Sequence, residues 1–540
     1  MSTFHGLEMA KQALFTQQMG LYTTGHNLSN VNTEGFSRQR VNFEAMSPFP
    51  SASRNRPSIP GQLGTGVMAG TVQRIRDAYL DSQYRTQNSK TAYWETRATA
   101  LNRMESFMNE MDETNGLSKT MNDFWKSLET LSTNPENAGA RGVAVENGVM
   151  VAESFNHIAT SLEQIQKDLR TQIGTYNDDT KEYDGKIGDA NALLKQINDL
   201  NKQIGEVEPL GYLPNDLYDR RDRLIDELSS IIKIDVKYEK SGDSSLKIAD
   251  GIAVIRLANQ DGTPTNHVLL SATDRNLTDD KIGQFGVTDV SGKNAIGSIT
   301  FTKAGDSNGN FEIENDDFLK YDGSLKALIE TYGYVKQEGT ETKITGDFSD
   351  TLERLNKLAE NFAKAFNEVH QTGYVVLKEG ETATDDKKGK DFFMTNDGSE
   401  SITAKNLAVS SEIREHPDLL AISSDGKFGN GDVAKKLAEV MTEPLKDNAL
   451  GSQTSVKGYF QQIISKMAVD TRAANQRVAN DNVLQQKIQN DRLSVSAVSI
   501  DEEMTNLLKF QHAYNASARS MTAMDEILDK IINSMGLVGR

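Results

Sequence analysis

One short motif in this 540-residue chain has the residue types that nucleophilic catalysis requires. Gly305-Asp-Ser307-Asn-Gly309 matches the G-x-S-x-G elbow, which places a serine on a sharp turn between a strand and a helix. Here a strand-like run, residues 298–302, precedes the motif, and another, Phe311-Glu-Ile-Glu, follows it. Because a hairpin turn explains the same residues, we predict a turn and no catalytic serine.

The same turn is similar to half of a calcium-binding loop. Asp306, Asn308 and Asn310 alternate as oxygen ligands would, and Asp317 occupies the twelfth position. A calcium loop requires glycine at the sixth position, where Phe311 stands, and a bidentate glutamate at the twelfth. A solvated turn accounts better for these residues, so we predict no metal site here.

Other residues that commonly carry chemistry lack the necessary spacing. The seven histidines are scattered, and no pair has metal-ligand spacing on one helix face. The chain has no cysteine, which excludes disulfides, thiolate metal sites and thiol catalysis. Gly61-Gln-Leu-Gly64-Thr-Gly66 has the wrong spacing for a dinucleotide fingerprint. The sequence therefore predicts a protein that is not an enzyme and that uses no cofactor and no metal.

Charge and hydropathy limit the partners of the chain. It has 59 basic and 77 acidic side chains, a net charge of −18, which argues against general affinity for nucleic acid or anionic lipid. No apolar run approaches the ~18–20 residues that a membrane helix needs. The segment Met1-Ser-Thr-Phe-His-Gly-Leu-Glu lacks the basic and apolar regions of a cleavable signal. We expect no nucleic-acid partner, no membrane insertion, and export by another route if the protein leaves the cell.

Both ends of the chain have heptad patterns that predict long helices. Leucine recurs every seven residues near the N-terminus, which predicts a helix over about 4–30 that ends in the Asn- and Gly-containing segment 27–35. Two apolar positions recur every seven residues near the C-terminus, which predicts a helix from about 500 to 535.

Such apolar helices need partners in water, so we expect them to form a coiled-coil-like hairpin. Packing within one chain is the simpler explanation of the pattern, and packing against other subunits as well is the alternative. The residues assigned to that subunit-packing surface are Leu7, Leu14, Leu21, Leu28, Leu507, Phe510, Tyr514, Met521, Met524 and Leu528.

The hydrophobic period changes twice between the two ends. Residues 71–231 have helical spacing, interrupted at Gly174, Gly185 and Gly188, and residues 349–370 have it again. Residues 232–348 contain short alternating runs separated by turns, which is typical of strands. We predict a multi-domain α+β fold. Its three parts are paired terminal helices at 1–34 plus 500–540, a mainly helical rod domain at 35–231 plus 349–499, and a β-rich insert at 232–348.

Two long segments, one near each end, resemble the signatures of a known family. The first is Leu21-Tyr-Thr-Thr-Gly-His-Asn-Leu-Ser-Asn-Val-Asn-Thr-Glu-Gly-Phe-Ser-Arg-Gln-Arg-Val41. The second is Val498-Ser-Ile-Asp-Glu-Glu-Met-Thr-Asn-Leu-Leu-Lys-Phe-Gln-His-Ala-Tyr-Asn-Ala-Ser-Ala518. Together they resemble the axial proteins of the bacterial flagellum, which form its rod, its hook and the hook-associated structures. Phe36 stands where that family often has tyrosine.

Three inner motifs are similar to those of the hook-associated members at the hook–filament junction. They are Arg74-Ile-Arg-Asp77, Asn215-Asp-Leu-Tyr-Asp-Arg-Arg-Asp222 and Ile402-Thr-Ala-Lys-Asn-Leu-Ala-Val-Ser410. The insert at 232–348 shows no resemblance. The resemblance implies a structural subunit that is exported uncleaved through the flagellar type III apparatus and that belongs to the extracellular flagellum.

The resemblance also implies partners. These are the flagellar hook protein, the next hook-associated (junction) protein, further copies of the same chain in a ring, and an export chaperone at the C-terminal helix. Three alternatives remain open from the residues alone: another axial subunit of the hook or distal rod, a secreted hydrolase that uses Ser307, and a surface adhesin that uses the insert.

Overall fold

The computed structural model describes most of the chain. The described residues are 4–50, 54, 61–109, 116–278, 281–303, 310–338, 341–377, 384–445, 450 and 454–534. The predicted turn at 305–309, with Ser307, Asp306 and Asn308, lies outside these ranges.

Helices account for most of the regular structure. They are α1 (His5–Ser29), α2 (Ala78–Asn109), α3 (Leu117–Thr133), α4 (Ala138–Ile173), α5 (Gly185–Val207), α6 (Asn215–Ile231), α7 (Asn315–Phe318), α8 (Ser324–Tyr332), α9 (Asp347–Gln371), α10 (Ser411–Glu415), α11 (Asp432–Thr442), α12 (Val456–Ser496) and α13 (Ile500–Ser534). The α+β class predicted from the sequence is confirmed.

The strands form small sheets between the helices. They are β1 (Gln39–Ala45), β2 (Val67–Arg74), β3 (Tyr176–Asn177), β4 (Glu182–Tyr183), β5 (Ile234–Glu239), β6 (Ile252–Ala258), β7 (Pro264–Leu270), β8 (Gln284–Asp289), β9 (Ile296–Thr302), β10 (Phe311–Glu314), β11 (Tyr334–Glu338), β12 (Glu341–Thr345), β13 (Phe393–Thr395) and β14 (Leu407–Val409).

The two terminal helices pair with each other, as the heptad patterns predict. Helix α1 runs antiparallel to α13, and it also contacts an antiparallel ribbon formed by β1 and β2. The hydroxyl of Thr16 donates a hydrogen bond to the carbonyl oxygen of Val67 in that ribbon, at 3.1 Å. We call α1, β1, β2 and α13 together the terminal module.

The helical body is built around one extensive hydrophobic core. Helix α2 packs along α12, α3 along α4, α5 along α6, and α11 against α3 and α9. Four aromatic rings from three segments meet in this core, with Phe366 and Phe392 at a centroid distance of 4.9 Å and Phe124 and Phe393 beside them. Such burial of aromatic side chains is the main favourable term for the body.

Residues 232–348 contain two sheets, in agreement with the predicted strands. Strands β5, β6 and β7 form one antiparallel sheet. In the second sheet β9 pairs with β8 and β10, and one parallel bridge joins it to the β11–β12 hairpin. The strand pattern did not reveal helix α8, which packs against α2 and α4. This helix is buried on all sides, so its sequence lacks the polar face that makes a helical period visible.

Glycine produces a sharp reversal between α4 and α5, at the place where the sequence predicts an interruption of the helical pattern. Gly174 has φ 138° and Gly185 has φ 65°. A Cβ atom on Gly174 would lie 2.3 Å from the carbonyl oxygen of Asp184, so any other residue would displace the backbone. This reversal returns α5 to the body beside α4.

A buried histidine holds two loops at the end of α9. The Nε2 atom of His370 accepts a hydrogen bond from the backbone N–H of Ala421 at 2.9 Å, and Nδ1 contacts the carbonyl oxygen of Lys390. This arrangement fixes a neutral imidazole with its proton on Nδ1. Burial lowers the pKa of His370 to about 4, although the Lys390 carbonyl and Asp391 act in the opposite direction.

The pKa of His370 predicts acid sensitivity of the body. Because this pKa of about 4 lies below the unfolded-state value of about 6.5, the unfolded chain binds the extra proton between those pH values. We expect the His370 contribution to the free energy of unfolding to be complete above pH 6.5 and to fall by up to about 3 kcal/mol as pH drops to 4. Denaturant unfolding of wild type and His370→Asn at several pH values measures it. His416→Asn, at an exposed histidine, is the control, and an equal pH slope in all three proteins would contradict the prediction.

Candidate assembly surface

Small residues on α1 receive the large side chains of α13. A Cβ on Gly20 would lie 3.1 Å from three ring carbons of Phe510, and a Cβ on Gly6 would lie 2.9 Å from the sulfur of Met524. The Phe510 ring also meets Phe43 of β1 edge to face, with centroids 5.7 Å apart. The two glycines therefore let α13 approach α1 closely while its aromatic side chain reaches the ribbon beneath.

A buried polar cluster joins α1, β1 and α13 at one end of the helix pair. Glu503 is only 2% exposed, and its carboxylate accepts hydrogen bonds from Arg38 Nε at 2.8 Å and from Asn27 Nδ2 at 3.1 Å. The Asn27 amide also bonds both main-chain groups of Gln39, at 2.8 and 3.0 Å. We call Asn27, Arg38 and Glu503 the polar lock. All three residues belong to the two terminal signatures.

The face of α1 that points away from α13 is apolar and exposed. Phe15, Met19 and Tyr22 follow helical spacing, and they are 54%, 43% and 77% exposed. We call these three residues the outward stripe. Large apolar side chains grouped on one exposed helix face are typical of an interaction surface. Their spacing is visible in the sequence, but the subunit-packing surface was assigned from the leucine heptad, which lies on a neighbouring face of α1.

The predicted subunit-packing residues all lie on the terminal pair, with different degrees of burial. Among them only Leu528 is buried, whereas Tyr514 and Met524 are exposed. The half-buried members are Leu7, Leu14, Leu21, Leu28, Leu507, Phe510 and Met521. Gly6, Gly20 and Asn27 belong to one heptad series, and each leucine of α1 comes one residue after a position of that series. The leucines therefore lie beside the face of α1 that contacts α13. Their role against other subunits stays a prediction.

Ion pairs attach the terminal module to the body. Arg74, at the end of β2, contacts Asp219 and Asp222 of α6 at 2.9 and 2.7 Å. The backbone N–H and hydroxyl of Ser37 donate to the carboxylate of Asp219 at 2.9 and 2.7 Å. Asn215 donates its side-chain amide to the Val72 carbonyl at 2.9 Å. These contacts give a physical role to the sequence motifs around residues 37, 74 and 215–222.

The same charges continue into α2 and α12. Arg76 holds Asp81 through two hydrogen bonds of 2.9 Å, and Arg492 reaches Asp81 at 2.6 Å. Arg85 and Arg492 both contact Asp226, at 2.7 and 2.6 Å. We call this set the Arg–Asp network. Its members are Arg74, Arg76, Arg85, Arg492, Asp81, Asp219, Asp222, Asp226 and Asp250.

The pKa shifts in the network reflect a balance between burial and pairing with arginine. Burial by itself would raise the pKa of Asp222, but Arg74, Arg76 and Arg85 hold that pKa well below its usual value. The pKa of Asp81 is lowered too, since its bonds with Arg76 outweigh burial. Burial raises the pKa of Asp219 even though Arg74 and Ser37 oppose it. The network therefore depends on close pairing of each carboxylate with guanidinium groups.

The main hydrophobic core does not extend into the terminal module. Within the described part of the chain, the buried apolar side chains of that core lie between residues 98 and 474, and none belongs to α1, β1, β2 or α13. The orientation of the module on the body therefore depends on polar contacts, chiefly the Arg–Asp network.

The described residues meet the requirements of neither a metal centre nor a membrane span. The described residues contain no group of three or more His, Asp or Glu side chains that could hold a metal ion. Their helices also include none long and apolar enough to cross a membrane.

Comparisons with known proteins agree with this architecture. The model of the "Flagellar hook-associated protein FlgK helical domain" matches residues 101–393, and that of the "Flagellar basal body rod FlgEFG protein C-terminal" matches 489–535. Flagellar hook-associated protein 1 of Bacillus subtilis is 40% identical over the full length of both chains. Its Escherichia coli namesake is 23% identical over 97% of this chain and 98% of its own.

A solved structure shows the same fold. The flagellar hook junction protein FlgK of Burkholderia pseudomallei superposes with a TM-score of 0.56 at 12% identity, over 77% of this chain and 100% of that one. The fold and the terminal pair thus define an axial structural protein of the bacterial flagellum. The chain belongs to the flagellar hook-associated protein 1 (FlgK) family, whose members are structural proteins of the hook–filament junction and not enzymes. The full-length match favours this family over the hook and rod subunits.

Removal of one buried charge tests the Arg–Asp network. Asp222→Asn removes a carboxylate that contacts Arg74, Arg76 and Arg85. We expect a loss of about 3–5 kcal/mol in the free energy of unfolding, measured with denaturant and circular dichroism. The control Glu360→Gln breaks only the exposed Lys364 pair and should cost at most about 1 kcal/mol. Equal stability of the two variants would contradict the structural role of the network.

Proposed function

We propose that this junction subunit assembles through its terminal module, with the outward stripe of α1 packed against neighbouring subunits. The observation that carries the proposal is the exposure of Phe15, Met19 and Tyr22 along one helix face. Helix α13 has exposed apolar residues of its own, including Met504, Leu508 and Ile527. Because this helix pair exposes apolar side chains on more than one side, it needs several neighbouring subunits to bury all of them.

The proposed neighbours are of three kinds: the flagellar hook protein, the next hook-associated (junction) protein, and further copies of this chain in a ring. The predicted packing residues Leu7, Leu14, Leu21 and Leu28 contribute to these contacts from the edge of the α1–α13 seam, where they are half-buried. In this proposal the three predicted parts have separate tasks. The terminal pair assembles, the helical rod domain spaces the assembly, and the insert at 232–348 packs on that rod domain through α8.

We further propose that the chain reaches the extracellular flagellum unfolded, through the flagellar type III apparatus, with an export chaperone on α13. Before α13 pairs with α1, α1 does not shield the apolar side chains of α13 from solvent. These side chains include Phe510, Met521, Met524 and Leu528. A chaperone that covers this heptad face would prevent aggregation during export. The absence of cysteine suits such a route, since an unfolded chain then cannot form wrong disulfides.

Deletion of the gene tests the junction role. We expect cells with hooks but no filaments and with flagellin in the culture medium, because the filament then lacks its base. Electron microscopy of the cell surface and a flagellin assay of the medium measure this, and the wild-type gene supplied in trans should restore filaments. Normal filaments in the deletion strain would refute the junction role.

Charges on the helix faces test the assembly surface. Phe15→Asp places a carboxylate on the outward stripe, and Leu507→Asp places one beside the α1–α13 seam. We expect each variant to complement the deletion strain at least about tenfold less well in filament number, because an ion without a partner opposes apolar packing. The control is Phe428→Asp, at a residue of the body that is 71% exposed.

Helix content by circular dichroism shows whether the variants are folded. If a folded Phe15→Asp protein gave full filament numbers, the outward stripe would have no part in assembly. If Leu507→Asp gave them, the edge of the α1–α13 seam would have no part in assembly.

A further inference from the structure

We propose that the polar lock of Asn27, Arg38 and Glu503 determines the register in which α1 pairs with α13. The inference concerns pairing within one chain, so it stands independently of the proposed assembly contacts. In this role the three residues are positioning residues, which select one alignment of two helices whose repeats permit others.

The contact positions of both helices recur every seven residues. Gly6, Gly20 and Asn27 of α1 face Met524, Phe510 and Glu503 of α13. The steps between them are fourteen and seven residues on both helices, in opposite directions. The fourth pair of the series is Ala13 with Ser517, two small residues. Because this periodicity is regular, a slip of seven residues would bring heptad positions face to face again.

A slipped pair would keep part of its apolar contact but would lose the lock. A shift of seven residues moves α13 by about 10 Å along α1 at 1.5 Å per residue. In one direction Glu503 would face Gly20, away from both Asn27 and Arg38. In the other direction it would lie beyond the end of α1, and Asn27 would face Phe510. Either slip leaves a carboxylate or an amide of the lock without its present partners, which is costly in a buried site.

The lock is suited to fix position because its hydrogen bonds come from three separate segments. Asn27 is bound to the main chain of Gln39, which fixes α1 on β1. Arg38 is bound through its own backbone N–H to the carbonyl oxygen of Ser496 at 2.9 Å, just before α13 begins. The Glu503 carboxylate accepts hydrogen bonds from the side chains of both Asn27 and Arg38, which fixes one position of α13 along the axis of α1. Apolar contacts alone tolerate sliding, whereas buried polar pairs specify register.

The chain contains no cysteine, so engineered cysteine pairs report the register directly in the full-length protein. Ala13→Cys with Ser517→Cys reports the observed alignment. Ala13→Cys with Met524→Cys, and Gly6→Cys with Ser517→Cys, report slips of seven residues in the two directions. After mild oxidation, disulfide yields are measured by non-reducing electrophoresis and mass spectrometry. With the lock intact, we expect the first pair to form at least about tenfold more disulfide than either slipped pair.

Two variants break the lock in each cysteine background, Glu503→Leu and Asn27→Leu. We expect the excess of the observed pair over a slipped pair to fall to about twofold or less in at least one of them. Glu502→Leu is the matched control: it removes the exposed neighbour that also contacts Arg38 and should leave the ratio unchanged.

A role in stability alone predicts a different result. If both lock variants retained the tenfold preference, or lost all three disulfides together, the lock would stabilise the contact without selecting its register. Either result would overturn the proposal. The measurement uses purified protein, so its outcome is separate from that of the filament experiments.

Discussion

Buried pairing between arginine and aspartate holds the two parts of this molecule together. The terminal module shares no main-core residue with the body within the described structure, so its attachment depends on Arg74, Ser37 and their partners on α6. Burial of an ion costs several kcal/mol unless its partners are close and well oriented. The network meets that condition through short contacts among α2, α6 and α12. Because these contacts are directional, they define an orientation that apolar packing alone would leave adjustable.

The terminal pair combines the two kinds of interaction within one seam. Glycines at two positions of α1 allow Phe510 and Met524 to pack closely, and the buried Glu503 ends the series with charge-assisted hydrogen bonds. The remaining faces carry apolar residues that one chain leaves exposed. In the proposed assembly, polar contacts set the orientation of the terminal module and the exposed apolar faces are left for neighbouring subunits.

Local sequence patterns predicted much of the fold. The heptads placed helices at about 4–30 and 500–535, and the structure has them at His5–Ser29 and Ile500–Ser534. Helix α8 was missed because a helix buried all round has no polar period. The outward stripe was missed because spacing shows that a face is apolar, not whether the fold covers it. The Arg–Asp network was beyond prediction because its partners, such as Arg85 and Asp222, are far apart in sequence.

Between its described helices and strands, the backbone crosses from terminal module to body at residues 75–77 and 497–499. Any torque on the terminal helices therefore passes through two short peptide segments and through the polar contacts that join module and body. Such a connection is stiff for small twists, because the ionic contacts of Arg74 with Asp219 and Asp222, at 2.9 and 2.7 Å, resist displacement. Arg74 is held by Asp219, Asp222 and Asp250 at once, so a twist has to strain several ion pairs together. The molecule is thus constructed to transmit rotation rather than to absorb it.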